Sequence, residues 1–191
     1  MIDAAVETRI GAALARRDLE LAATEVVGGY GPQIFGFLRG TLPIADADDA
    51  FSIWCESLWT QLPAFRGASS VFTWAYRIAI GAAHDARAHK RLVRLSTGAM
   101  QALAAEVRST TARHLKRESS EQLQRLRAQL DHDEQTLLVL RIDRDLAWKD
   151  IAEILDEREP ALRKRFERLK EKIRTLAEGE GLLEPQRSPR T

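Results

Sequence analysis

The side chains best able to do chemistry in this 191-residue chain are cations and rings rather than nucleophiles or metal ligands. Between residues 158 and 174, Arg158, Arg163, Lys164, Arg165, Arg168, Lys170, Lys172 and Arg174 face only Glu159, Glu167 and Glu171, a local charge of +5. Guanidinium and ammonium groups at that density bind phosphate, and Arg can also pair with guanine through two hydrogen bonds. A second basic cluster, Arg87, His89, Lys90, Arg91 and Arg94, follows a run of rings formed by Phe51, Trp54, Trp59, Phe65, Phe72, Trp74 and Tyr76. Most such rings supply a core. One or two beside a basic cluster could stack on bases.

Other chemistries find little support. His84, His89, His114 and His132 share no ligand spacing with Cys55, so neither metal nor cofactor is expected. Asp48 and Asp49 are adjacent, and on a helix their side chains diverge by about 100°, a poor acid–base pair. No Gly-rich phosphate loop is present, and no enzymatic activity is expected. A single cysteine excludes an intrachain disulfide and suits a reducing, cytoplasmic compartment. The opening MIDAAVETRIG lacks the basic-then-apolar layout of a secretion signal, and no run of about 18 apolar residues exists.

The net charge of +1 conceals a polarised chain. Residues 1–60 carry −5, against the +5 of residues 158–174. A total so close to zero is therefore no argument against an anionic partner.

The elements that must hold these groups read as helices throughout, giving an all-α fold. Ile2, Ala5, Val6, Ile10, Ala13 and Leu14 form an amphipathic stripe. Asp18 caps a second helix through Val27, and Gly28, Gly29, Gly31 and Pro32 predict a break or kink before a helix with Ile34, Phe35, Leu38 and Leu42. Asp46 is the expected cap of a helix over 47–61. The segment 63–70 (PAFRGASS) reads as a loop, and Ser69 or Ser70 caps a long helix ending in the second basic cluster. Residues 95–117 read as a linker with a short helix at 99–108. Beyond it, Asp131 and Glu134 form a capping box, 146–155 is a short amphipathic helix, and a turn at 156–160 leads to a last helix. Four parts result: a helical domain over 1–94, a linker over 95–117, a second domain over 118–178 and a loose tail over 179–191.

A short helix, a tight turn and a second helix with a basic face form a helix-turn-helix pattern. Burying Leu162, Phe166 and Leu169 against the first helix leaves Arg158, Arg163, Lys164, Arg165 and Arg168 free near the N-terminal half of the second. Lys149 is a further backbone candidate, and Trp148 reads as core.

With these blocks in view, residues 18–177 resemble an extracytoplasmic-function (ECF) sigma factor of the sigma-70 family. One block runs Tyr30-Gly31-Pro32, Asp46-Ala47-Asp48-Asp49, Leu58-Trp59, Phe65-Arg66-Gly67, then Trp74-Ala75-Tyr76-Arg77-Ile78-Ala79 and Asp85, and is similar to sigma region 2. The other runs Leu130, Glu134, Leu137-Leu138-Val139-Leu140-Arg141, Asp150-Ile151-Ala152-Glu153-Ile154-Leu155 and Leu162-Arg163-Lys164-Arg165-Phe166, and is similar to region 4. The chain departs from the family at Ala50, Ser52 and Ile53, where Leu and a Gln-Glu pair are usual, at Gly81, where Asn is frequent, and in the turn 156–161.

The resemblance implies two partners, core RNA polymerase and promoter DNA, with an anti-sigma factor as a candidate third and no membrane. It implies that Asp48, Asp49 and Glu56 dock on the polymerase. It further implies that Phe65, Arg66, Ser69 and Ser70 capture a −10 base, and that Arg77, Arg87, Lys90 and Arg91 hold the phosphates that follow. By the same resemblance, Arg158, Arg163, Lys164, Arg165 and Arg168 contact the −35 element. The implied function is promoter recognition, DNA opening and transcription initiation. The alternative is a stand-alone helix-turn-helix regulator with an N-terminal effector or dimerisation domain.

Overall fold

The computed structural model describes residues 2–88, 102–109 and 121–180, and these are helical with no strand among them. Lys90, Arg91, most of the expected tail and parts of the linker lie outside the described residues.

Helix α1 (Ala4–Ala15) starts where the Asp3 carboxylate accepts the N–H groups of Ala5 and Val6, and it buries Val6, Ile10 and Ala13. Asp18 caps α2 (Leu19–Thr41) by accepting from the Leu21 N–H at 3.0 Å. The break expected at Gly28–Pro32 does not occur, and α2 runs unbroken through Pro32. Both Gly28 and Pro32 lie at the exposed surface, so the Gly28 carbonyl that loses its donor can reach water. Tyr30, Gly31, Ile34 and Phe35 are meanwhile buried on the other side, and their packing outweighs local propensity. Gly29 serves close approach: a Cβ there would sit 2.5 Å from a Val6 methyl, so α1 crosses α2 at this point.

Helix α3 (Ile44–Gln61) corrects a second expectation. Its N-cap is Pro43, and Asp46 lies inside the first turn without a capping hydrogen bond. The fixed φ of Pro43 already directs the chain into the helix, and Asp46 retains only its favourable position near the dipole. A 3₁₀ turn (Leu62–Ala64) and a short loop lead to α4 (Val71–Arg87). A further helix, α5 (102–109), sets the buried Val107 against Gly31, where a Cβ would meet its methyls at 3.3 Å.

Aromatic packing locks α2, α3 and α4 together. The Phe51 ring stacks on Trp54 at 5.3 Å and meets Phe35 edge-on at 5.1 Å. Tyr30 meets Phe72 at 5.3 Å and Phe37 meets Tyr76 at 5.7 Å, both edge-on. The Trp54 indole N–H donates to the Ala75 carbonyl at 3.0 Å, so the largest buried ring is also hydrogen-bonded.

The C-terminal part comprises α6 (Glu121–Ala128), α7 (His132–Leu138), one π-helical turn (Val139–Asp143), α8 (Trp148–Leu155) and α9 (Glu159–Gly179). Asp131 and Glu134 make the expected capping box at α7. Asp156, in the left-handed region at φ 54°, ends α8, and Arg158 opens α9. Leu162, Phe166 and Leu169 are buried along one face of α9.

The C-terminal helices do not stand apart. Leu137, Val139, Leu140, Leu146, Ile151 and Ile154 share one apolar core with α2 and α4. The seat is made by two glycines one turn apart on α2. A Cβ at Gly36 would meet the end of the flexible Arg144 side chain, and one at Gly40 would lie 2.9 Å from both Val139 methyls.

Removing the central ring tests this packing. Phe51→Ala should cost about 3–5 kcal/mol of stability, read from chemical denaturation. Asp131→Ala should cost about 1 kcal/mol by the same measurement, since it removes only the α7 cap.

Candidate functional site

The loop before α4 is shaped by its end points. Gly67 adopts φ +71°, a left-handed turn that an L side chain would strain. Phe65 is half-buried with its ring 4.9 Å from that of Trp74, while Arg66 is exposed. The Ser70 hydroxyl oxygen accepts from the Thr73 N–H at 3.0 Å and caps α4. Ser69 is not a cap, because its hydroxyl donates to the Ser70 carbonyl.

One residue at this loop has no local sequence signal. The Glu7 carboxylate, on α1, accepts from the N–H groups of Val71 at 3.0 Å and Phe72 at 2.8 Å, and from the Tyr30 hydroxyl at 2.8 Å. With Ser70 on Thr73, the exposed-donor problem at the start of α4 is solved by an anion from a distant helix. Burial, then the bond to Glu7, raises the Tyr30 hydroxyl pKa above its usual range. The two α4 donors lie more than sixty residues from Glu7 in sequence, which is why periodicity and capping rules miss it.

On α3, Asp48 and Asp49 are exposed and Glu56 is half-buried, with Ala47, Ala50 and Phe51 facing the core. The Arg108 guanidinium on α5 donates to Ser52 at 2.9 Å, which brings a cation to the edge of this acidic helix. Cys55 is fully buried behind it, and burial pushes its thiol pKa up to about 12.

Of the arginines expected to hold −10 phosphates, the two among the described residues have protein partners on the C-terminal part. Arg77 donates to the Glu153 carbonyl at 2.6 Å. Arg87 bridges the Thr41 carbonyl and the Gln135 side-chain oxygen, the latter at 2.7 Å. Gln135 is itself fixed, donating to the carbonyls of Arg127 and Leu130. At the same seam His132 is half-buried, and neither ring nitrogen has a hydrogen-bond partner among the described residues. Burial, then the nearby Arg87 charge, lowers its pKa, with His84 acting the same way and Asp133 and Asp131 opposing.

On the far side, α8 and α9 form the helix-turn-helix. Trp148 is a platform as well as core. Its ring meets Phe166 edge-on at 5.4 Å, and the guanidinium groups of Arg141 and Arg163 lie over it at 5.3 and 5.1 Å. Arg163 also pairs with Glu159 at 3.4 Å, and the half-buried Arg165 pairs with Glu157. Lys164 and Arg168 are exposed and make no ion pair with an acid among the described residues. Arg158 and Lys149 line a shallow cleft with Arg77, balanced by Glu153, Asp156 and Glu157. No group of three or more His, Cys, Asp or Glu is placed to hold a metal among the described residues. No helix among them is long and apolar enough to cross a membrane.

The segment from mid-α2 through α4, with its acidic helix, capped loop and cation-bearing last helix, has a match. Residues 26–93 match the family model for sigma-70 region 2. The match supports a sigma-70 family factor, a class that acts in promoter recognition and transcription initiation with core RNA polymerase and is not enzymatic. No curated protein matches the chain. In the matched segment the Tyr30, Phe51, Trp54, Phe72 and Tyr76 rings are buried, whereas Arg66, Asp48 and Asp49 are displayed.

Glu7→Ala leaves buried donors at the start of α4 without acceptors, and should cost about 2–4 kcal/mol in denaturant titration. Glu7→Gln should recover part of that. For His132, the folded protein binds a proton less readily than the unfolded chain. Stability is therefore full above about pH 6.5 and declines as pH falls below it. Denaturation midpoints at pH 7.5 and 5.5 should show this decline, and His132→Phe should reduce it.

Proposed function

We propose that this chain is an ECF-type sigma factor that works in the cytoplasm. Residues 1–94 form the unit for core polymerase and the −10 element, 95–117 the connection, 118–178 a region 4-like unit for the −35 element, and 179–191 a tail. Asp48, Asp49 and Glu56 on α3 contact the polymerase. Phe65, Arg66, Ser69 and Ser70 receive a flipped −10 base, and Arg77, Arg87, Lys90 and Arg91 hold the phosphates of the separated strand. Arg158, Arg163, Lys164, Arg165 and Arg168 contact the −35 duplex.

The observation that carries this reading is a matched sigma-70 region 2 followed by a helix-turn-helix whose second helix displays cations opposite its buried face. Lys164 and Arg168 have no acid to neutralise them among the described residues, which suits phosphate or base contact. Arg163 is already aligned by Trp148 and Glu159, which lowers the entropy lost on binding.

Core RNA polymerase reconstituted with the chain should initiate at defined sites on genomic fragments. Free protein that binds a palindromic operator tightly, without any promoter-specific initiation, would favour a stand-alone regulator instead. Replacing Arg163, Lys164 and Arg168 together by Ala should abolish −35-dependent transcripts. It should also lower the salt slope of duplex binding by roughly one unit per lost phosphate contact.

A further inference from the structure

We propose that Glu7 is a positioning residue for −10 recognition, and that it decides what the loop before α4 accepts, a flipped base rather than a backbone phosphate. This rests on the −10 reading above and deepens it, because it gives a part in strand recognition to α1, which lies outside the matched segment 26–93.

Both ends of the loop from Phe65 to Ser70 are held. At its start the Phe65 N–H donates to the Leu62 carbonyl at 3.1 Å. At its end Ser70 caps α4, and the Trp74 N–H donates to the Ser70 carbonyl at 3.1 Å. Trp74 stands one turn into α4, with its ring 4.9 Å from that of Phe65. Where α4 begins therefore sets where Trp74 stands, and Trp74 sets where the Phe65 ring can lie. Glu7 fixes that beginning. Val71 donates to its Oε2 and Phe72 to its Oε1, so the carboxylate clasps two successive N–H groups and holds the first turn against α1. The Tyr30 hydroxyl donates to Oε1 as well, and the Tyr30 ring is buried edge-on against Phe72, which holds the carboxylate from a third side.

The charge of Glu7 has a separate consequence. Free N–H groups and the dipole make the start of a helix attractive to anions, and a nucleic-acid strand brings a phosphate with every nucleotide. At α4 the protein's own anion fills that place. Its two oxygens take the N–H groups, and its negative charge opposes the dipole. Within the loop, the cation left for phosphate is the exposed Arg66, while the half-buried Phe65, Ser69 and Ser70 are left to meet an uncharged base.

Three substitutions in the full-length chain separate reach from charge. Glu7→Ala removes both, Glu7→Asp keeps the charge on an arm one methylene shorter, and Glu7→Gln keeps the length and one acceptor oxygen. Holoenzyme assembled with core polymerase is titrated with a single-stranded oligonucleotide bearing the −10 sequence of a promoter mapped by the transcription assay above. The same strand made abasic at each position in turn is the comparison. Glu7→Ala and Glu7→Asp should lower the base-to-abasic affinity ratio at the most sensitive position at least fivefold, while Glu7→Gln stays within twofold of wild type. Binding to a −35 duplex should change less than twofold in all three. Binding of the fully abasic strand should gain about 0.7 in salt slope with Glu7→Ala, one phosphate contact, and nothing with Glu7→Asp. In the free chain labelled with 5-fluorotryptophan, the Trp74 fluorine resonance, identified by its loss in Trp74→Phe, should move in Glu7→Ala and Glu7→Asp and return in Glu7→Gln, with that of Trp148 unmoved. An unchanged affinity ratio in both Glu7→Ala and Glu7→Asp overturns the positioning role, as does an equal fall in −35 duplex binding, which marks general destabilisation. An unchanged salt slope in Glu7→Ala overturns the exclusion of phosphate. A wild-type holoenzyme that initiates nowhere identifies the sigma reading as the part that fails, and the −10 role falls with it; an unmoved Trp74 resonance then overturns the shaping of the loop as well.

Discussion

The first turn of α4 must be supplied with acceptors, and much of the molecule depends on how that is done. Val71, Phe72 and Thr73 are all buried residues, and as the first of the helix their N–H groups have no intrahelical acceptor. An unsatisfied buried donor costs roughly 1–3 kcal/mol, and here three lie together. Ser70 serves one, and the Glu7 carboxylate serves the other two while also accepting from Tyr30. That single carboxylate ties α1 to α2 and α4 and sets where α4 begins. The loop from Phe65 to Ser70 is positioned by the same bonds, so its geometry is inherited from a helix outside the matched family segment.

The seam between the two parts shows how one kind of residue can satisfy opposite requirements. The exposed Arg77 and the partly buried Arg87 both look for acceptors beyond α4, which offers few of its own. Arg77 and Arg87 find them on Glu153, Thr41 and Gln135. The same planar donors suit phosphate. Desolvation lowers the Arg87 pKa with Asp46 opposing it in part, and burial with the Arg87 charge lowers the pKa of His132 beside it.

Helix identity was legible in the sequence wherever apolar spacing and capping residues agreed. Asp18, Ser70 and the Asp131–Glu134 pair mark true helix starts, and Leu162, Phe166 and Leu169 mark the buried face of α9. The two departures share a cause. Local rules predict a break at Gly28 to Pro32 and a cap at Asp46, whereas the structure is decided there by burial of Tyr30 and Ile34 and by Pro43. Of the candidate site, the exposed cations of α9 and the acids of α3 follow from composition and amphipathicity. Glu7, Gln135, Glu153 and the seating at Gly36 and Gly40 do not. Each acts across a tertiary contact, and a single sequence carries no record of which distant segments meet.

The unbroken course of α2 through Pro32 bears on the order in which the protein is made. Three glycines and a proline within five residues leave this segment with poor intrinsic helicity and a missing hydrogen bond. Its continuity is a property of the assembled core, supplied by rings on α3 and α4. A nascent chain emerging from the ribosome therefore holds residues 19–41 without a finished helix until roughly residue 87 is also available. Its apolar residues are exposed for all of that interval. The helices of the N-terminal half therefore complete one another rather than standing one by one.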